Sequence, residues 1–163
     1  MSPVVVDASV ALAWCFADEG SDYADQVLVA LEGHEVTVPA IWGLEIANAV
    51  LVGERGKRLK QPDIQQFLTL LNALAIRQDV SDVRDTVSSI LPLARRHRLS
   101  AYDAAYLELA VRCGAPLATL DPRLKKAAIQ AGIPIFFLIG ESRDQPRREL
   151  LAQARYSRAI SST

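Results

Sequence analysis

Short apolar runs rich in branched side chains recur at residues 4–6, 35–38, 76–80, 117–119 and 135–138, and longer stretches of helical periodicity fill the spaces between them. Runs of this length read as strands. Strands that alternate with helices predict an α/β sandwich of three layers, in which a short, mostly parallel sheet of about five strands is flanked by helices. With 163 residues, half of them hydrophobic, the chain fits one domain. A domain of this size buries roughly 70% of the surface its unfolded chain exposes, so a substantial core is expected.

The helical segments carry their own start and stop signals. Residues 10–16 form a short helix that ends near Asp18-Glu19-Gly20, and residues 22–31 follow with Val27, Leu28 and Leu31 on the apolar side. Residues 40–53 are helical, with Gly53 and Gly56 marking the end. Pro62 opens a helix over 63–74, where Ile64, Phe67, Leu68 and Leu71 recur at helical spacing. A helix over 83–96 contains Pro92, which is expected to kink or divide it. Ser100 ahead of Ala101-Tyr102-Asp103 resembles a capping box, and Asp121-Pro122 opens a last helix over 123–131 with Gly132 as its cap. The globular domain is expected over 1–139. Residues 140–163 read as a tail, with a polar linker at 141–146, a short helix at 147–160 and a frayed end.

Several classes of protein are disfavoured. No run reaches the ~18 uncharged apolar residues of a membrane span. The N-terminus lacks a basic segment and is interrupted by Asp7, so a secretory signal is not expected and the cytoplasm is the default. Cys15, Cys113, His34 and His97 have no ligand spacing, which argues against zinc and favours small buried cysteines. A net charge of −1 means that any attraction for phosphate must be local.

Four isolated carboxylates stand where apolar segments end or turn. Asp7 closes Val4-Val5-Val6, Asp121 follows Leu117-Ala118-Thr119-Leu120, Asp103 opens the helix over 101–113, and Glu45 lies mid-helix among Ile41, Trp42, Leu44 and Ile46. Asn48 is three residues from Glu45, on the same helix face. Each acid has a structural explanation: Asp7 and Asp121 as helix caps, Asp103 as a dipole complement, Glu45 in a buried ion pair. Together they suggest more, because the carboxyl ends of parallel strands border the crevice where open α/β sheets bind ligands. Crowded carboxylates repel and resist desolvation, and a divalent cation relieves both costs. Oxygen-only ligands suit Mg²⁺, with Mn²⁺ as a substitute.

Four blocks then resemble a PIN-domain ribonuclease, with the likeness strongest to the VapC toxins of toxin-antitoxin pairs. They are Val4-Val5-Val6-Asp7-Ala8-Ser9, Pro39-Ala40 through Glu45 and Asn48, Leu99 through Leu107 around Asp103, and Leu117-Ala118-Thr119-Leu120-Asp121. The resemblance spans about residues 3–138. It implies a PIN-like sandwich and a metal-dependent endoribonuclease whose catalytic and metal-binding acids are Asp7, Glu45, Asp103 and Asp121. It further implies cleavage to a 5′-phosphate and a 3′-hydroxyl, a homodimer, and a VapB-like antitoxin partner with a flexible segment. Asp7 and Asp103 are the leading ligands, Glu45 a ligand or water-positioning base, and Asp121 a ligand of a second ion or an outer contact. Ser9 and Thr119 match hydroxyl positions that orient carboxylates, and Asn48 is a supporting contact. The long tail and Pro92 depart from the family pattern and bear on partner contacts rather than chemistry.

RNA would need cationic and stacking groups. Candidates are Arg55, Lys57, Arg58 and Lys60; Arg95, Arg96 and Arg98; and Arg123, Lys125 and Lys126, each of which also reads as a solvated face. Tyr102, Tyr106, Trp14 and Trp42 are either stacking residues or core. Dimer contacts are sought in the helices over 10–16 and 61–74, whose alternative is ordinary core packing. Other readings remain: PIN-type RNA processing without a toxin role, and a non-catalytic metal-binding interaction module. A receiver domain would require paired acids after the first strand, and a phosphatase would require a second Asp where Ser9 stands.

Overall fold

The computed structural model describes residues 1–136. The tail at 140–163, and the end of the run at 135–138, lie outside the described residues. Four parallel strands, β1 (Pro3–Val6), β2 (Glu35–Val38), β3 (Ile76–Gln78) and β4 (Leu117–Ala118), form a sheet in the order β3-β2-β1-β4. The central strand β1 pairs on one side with β2, Val4 opposite Val36, and on the other with β4, Val5 opposite Leu117. Val4, Val5 and Val6 have no exposed surface. Complete burial is the signature of a parallel strand covered on both faces, and it explains why this run is continuously apolar rather than alternating.

Seven helices connect and flank these strands: α1 (Ala8–Cys15), α2 (Asp22–Ala30), α3 (Trp42–Arg55), α4 (Gln61–Ala73), α5 (Val83–His97), α6 (Ala101–Cys113) and α7 (Pro122–Gln130). Their starts follow local chemistry. Ser21 Oγ accepts from the Ala24 amide, Asp82 from Arg84, Ser100 from Asp103, and Asp121 from Arg123 and Leu124. Each acceptor satisfies an amide that the first helical turn leaves without a partner. The main core joins β1, β2 and β4 to Val10, Trp14, Val27, Leu107 and Leu124. A satellite core of Phe16, Leu59 and Ile64 lies where α1 meets the start of α4. In α1, Val10, Ala11, Ala13, Trp14 and Phe16 at its end are all buried, so its apolar side is spent on the core.

Several boundaries depart from the sequence expectations. Gly53 does not end its helix: α3 continues to Arg55, and Gly56 is the cap. Gly53 is there for space, since a Cβ at this position would stand 2.7 Å from the Phe16 ring and 2.9 Å from Leu59 Cδ1. Pro92 does not divide α5, which is one helix from Val83 to His97. A proline removes a single backbone donor, and packing of α5 along α6 holds the turns on either side. Strand β3 stops at Gln78, short of the expected residue 80. The Asp79 amide still donates to the Val38 carbonyl at 2.8 Å, but its side chain binds Arg112 and Val80 is 91% exposed, so the chain leaves the sheet there. The sheet has four strands among the described residues, and the expected fifth, 135–138, lies partly outside them. Ile135 adds only a parallel bridge to Leu117, on the side away from β1. Tyr23 secures that edge, its hydroxyl donating to the Phe136 carbonyl at 2.9 Å. No helix among the described residues is long and apolar enough to cross a membrane.

Gly53→Ala tests the satellite core. Helix propensity favours alanine by about 1 kcal/mol, whereas overpacking costs about 1–3 kcal/mol. The Phe16 ring has little freedom to retreat, because it is buried and lies beneath the Arg58 guanidinium at 4.5 Å. The expected outcome is net destabilisation, read as a lower midpoint in urea with an unchanged slope. A higher midpoint would show that the ring moves freely.

Candidate acidic site

Asp7 leaves β1 at its carboxyl end and is only 6% exposed. Its amide donates to the Ala118 carbonyl at 2.9 Å, which ties the end of β1 to the end of β4. Although Asp7 is the residue before α1, its side chain makes no capping bond to that helix. Instead its Oδ2 accepts from Ser9 Oγ at 2.5 Å and from Thr119 Oγ1 at 2.7 Å. Both hydroxyls are themselves held, since Ser9 Oγ accepts from the Leu120 amide and Thr119 Oγ1 from the Asp121 amide, each at 3.0 Å. Burial raises the Asp7 pKa above its ordinary 3.8. The two hydroxyls oppose that rise and the negative charge of Asp103 adds to it.

Glu45 reaches the same neighbourhood from α3. Its Oε2 accepts a short hydrogen bond from the hydroxyl of Tyr106, a fully buried residue of α6. Partial burial raises the Glu45 pKa, the Tyr106 bond counteracts this, and the charges of Asp7 and Asp103 raise it again. Burial first, and then the bond to Glu45, drives the Tyr106 hydroxyl far above its usual value, so it remains a neutral donor. Asp103 Oδ2 accepts from Ser100 Oγ at 2.9 Å while Ser100 Oγ accepts from the Asp103 amide at 3.1 Å. The expected capping box is therefore altered, with the serine hydroxyl rather than a backbone amide meeting the carboxylate.

Asp7, Glu45 and Asp103 thus act on one another. Asp121 stands apart, because its Oδ1 caps α7 by accepting from Arg123 and Leu124 at 2.7 and 3.3 Å, and its charge is not among those that shift Asp7 or Glu45. Asn48 is exposed and makes no side-chain bond to Glu45. Tyr106, grouped by sequence with the stacking candidates, is instead a positioning residue. The available signal was its spacing of three from Asp103, which puts both on one face of α6. Trp14 and Trp42 are buried, and Tyr102 is exposed. Burial lifts the Cys15 thiol to about 11, which removes it as a nucleophile.

A chemical division separates these acids from others in the protein. Asp18 and Glu19 pair with Arg58, Glu35 with Arg77, and Asp79 and Glu108 with Arg112. Asp7, Glu45 and Asp103 are held by neutral hydroxyls, which fix the oxygens and leave the charge uncancelled. No three acidic, histidine or cysteine side chains among the described residues form a ready-made metal cage. The fit to a hard divalent cation lies in donor type and accumulated negative charge.

A family model described as the PIN domain matches residues 4–130. The chain is 31% identical over 122 residues to Ribonuclease VapC3 of Pyrobaculum aerophilum, covering 74% of this chain and 91% of that protein. Its fold is similar to the crystal structure of PAE2754 from Pyrobaculum aerophilum, with a TM-score of 0.57 and 22% identity over 77% of this chain and 78% of the other.

The raised Asp7 pKa has a sign that can be measured. Ionised Asp7 costs folding energy, a cost absent below the unfolded value near 3.8 and complete once pH exceeds the raised folded value. Asp7→Asn should therefore melt above wild type in chelator at neutral pH, and that advantage should shrink as pH falls towards 3.8. Equal melting temperatures at both pH values would remove the electrostatic account of the site.

Proposed function

Because this chain belongs to the PIN-domain family, among its VapC-type ribonucleases, we propose that it is a Mg²⁺-dependent endoribonuclease, active also with Mn²⁺, and the toxin of a VapBC-type pair. The observation that supports this most is the set of three mutually interacting, hydroxyl-held carboxylates at the carboxyl end of the central strand. Asp7, Asp103 and Glu45 would hold the cation, with Asp121 contributing from the periphery. When bound, the cation supplies positive charge to the phosphodiester and acidifies the attacking water. Ser9 and Thr119 keep Asp7 Oδ2 in place, and Tyr106 keeps Glu45 ionised and oriented. Burial around Asp7 excludes bulk water and so strengthens every charge interaction there. Cleavage is proposed to leave a 5′-phosphate and a 3′-hydroxyl.

The name of the VapC3 relative supports a VapB-like antitoxin as partner. We assign the homodimer contact to apolar side chains left exposed on α3 and α4, Leu44, Leu51, Val52 and Leu68, since those of α1 are spent on the core. Co-expression with the cognate antitoxin should restore growth to cells that express this chain.

Purified protein with labelled single-stranded RNA and Mn²⁺ tests the activity, with chelator as the control. Asp7→Asn and Asp103→Asn should each lower cleavage by roughly 10²–10³-fold, the scale for losing a group that stabilises transition-state charge. Retained cleavage in both would defeat the site assignment. Tyr106→Phe gives a different readout. Losing a donor to ionised Glu45 raises its pKa further, so the acidic limb of the pH-rate profile should move to higher pH, with a roughly 10-fold lower rate. A lower rate with an unmoved limb would mean that Tyr106 only packs.

A further inference from the structure

Two basic stretches that are distant in sequence meet across one groove. A cleft of about 560 Å³ has Arg96, His97 and Arg98 from the end of α5 on one wall and Arg123, Lys126 and Gln130 from α7 on the other. Arg98 caps α5 in the left-handed conformation, φ 54°, which turns the chain sharply into α6. On α7, residues 123, 126, 127 and 130 recur at helical spacing, so they form one continuous face about 10 Å long. His97 Nδ1 and Gln130 Oε1 lie 3.4 Å apart across the groove.

The charges in this groove are uncompensated. Arg58, Arg77 and Arg112 each pair with acids, whereas Arg96, Arg98, Arg123 and Lys126 make no salt bridge among the described residues, and no acid lines the cleft. The groove also approaches the acidic site at the start of α6, and it begins at the start of α7. Arg98 lies two residues before Ser100, the partner of Asp103, and the Arg123 amide donates to Asp121.

We infer that this groove binds the phosphate backbone of the RNA strand beside the bond that is cut, an inference that rests on the ribonuclease reading above. Arg123 and Lys126 on one wall and Arg96 and Arg98 on the other offer repeated contacts to phosphates. A protein partner would want apolar or aromatic anchors, and this lining has only the small Ala127. The chain's own residues 137–163 are an unsuitable occupant, since they carry five arginines against three acids.

The test is fluorescence polarisation of a labelled single-stranded RNA oligonucleotide with the full chain in chelator, titrated across salt concentrations. R123Q/K126Q and R96Q/R98Q should each weaken binding at least ~10-fold at low salt. Each pair should also flatten the slope of log affinity against log salt by about 1.4, from about 0.7 per lost phosphate contact on a single strand. R84Q, which removes an exposed cation of α5 outside the groove, should change neither. Groove variants that behave like that control would overturn the inference, as would tighter binding of a poly-glutamate peptide than of RNA by the wild type. Should R96Q/R98Q fail to fold, the α7 pair alone decides. Cleavage with Mn²⁺ is scored separately: binding that follows the groove without any cleavage counts against the nuclease reading and for the groove, and cleavage with unaltered binding in the variants does the reverse.

Discussion

The arrangement of the site depends on one buried carboxylate at the end of β1. Asp7 follows three valines with no exposed surface, and its amide is already committed to Ala118 across the sheet. That bond fixes the backbone where β1 meets β4, and the side chain is held separately, by hydroxyls that would lose their acceptor if it swung towards solvent. Two hydroxyls meet it from the two sides of that junction, Ser9 from α1 and Thr119 from the end of β4. The same contacts that align the strand ends thus also aim the acid, so fold and site share their determinants.

Hydroxyl partners have a consequence that guanidinium partners do not. An arginine beside a carboxylate stabilises the ionised form and cancels its field, as at Arg112 with Asp79. Ser9, Thr119, Ser100 and Tyr106 orient oxygens while leaving the negative potential available. Tyr106 shows the point most clearly, because its buried phenol cannot ionise at ordinary pH and adds no charge of its own. The penalty is carried by the core around it, as expected where a functional site violates the rule that buried charges are paired. Metal-free, the protein bears that cost in full; bound cation would offset it.

Much of this was legible in the sequence because it is local. Branched runs ending in Asp7 and beyond Thr119, and the caps at Ser100 and Asp121, are determined by neighbours in the chain. What escaped was set by distant residues. Gly53 looked like a helix stop, but its role is defined by Phe16 and Leu59. Tyr106 looked like core or a stacking ring, and its partner Glu45 lies 61 positions away. Pro92 was overrated because a local rule ignores packing against α6.

The distribution of charge follows the same logic. A net charge of −1 conceals an acidic centre at the strand ends and a basic groove that begins at the starts of α6 and α7. At physiological ionic strength exposed charges are screened beyond about 8 Å, so an approaching polyanion responds to the local surface rather than to the total. Repulsion by Asp7, Glu45 and Asp103 is then confined to the centre, where a bound cation would reverse it. Attraction acts alongside, where Arg98, Arg123 and Lys126 have no acids to satisfy. Asp121 sits at the border of the two regions. By capping α7 it fixes the start of the helix whose exposed face carries Arg123 and Lys126.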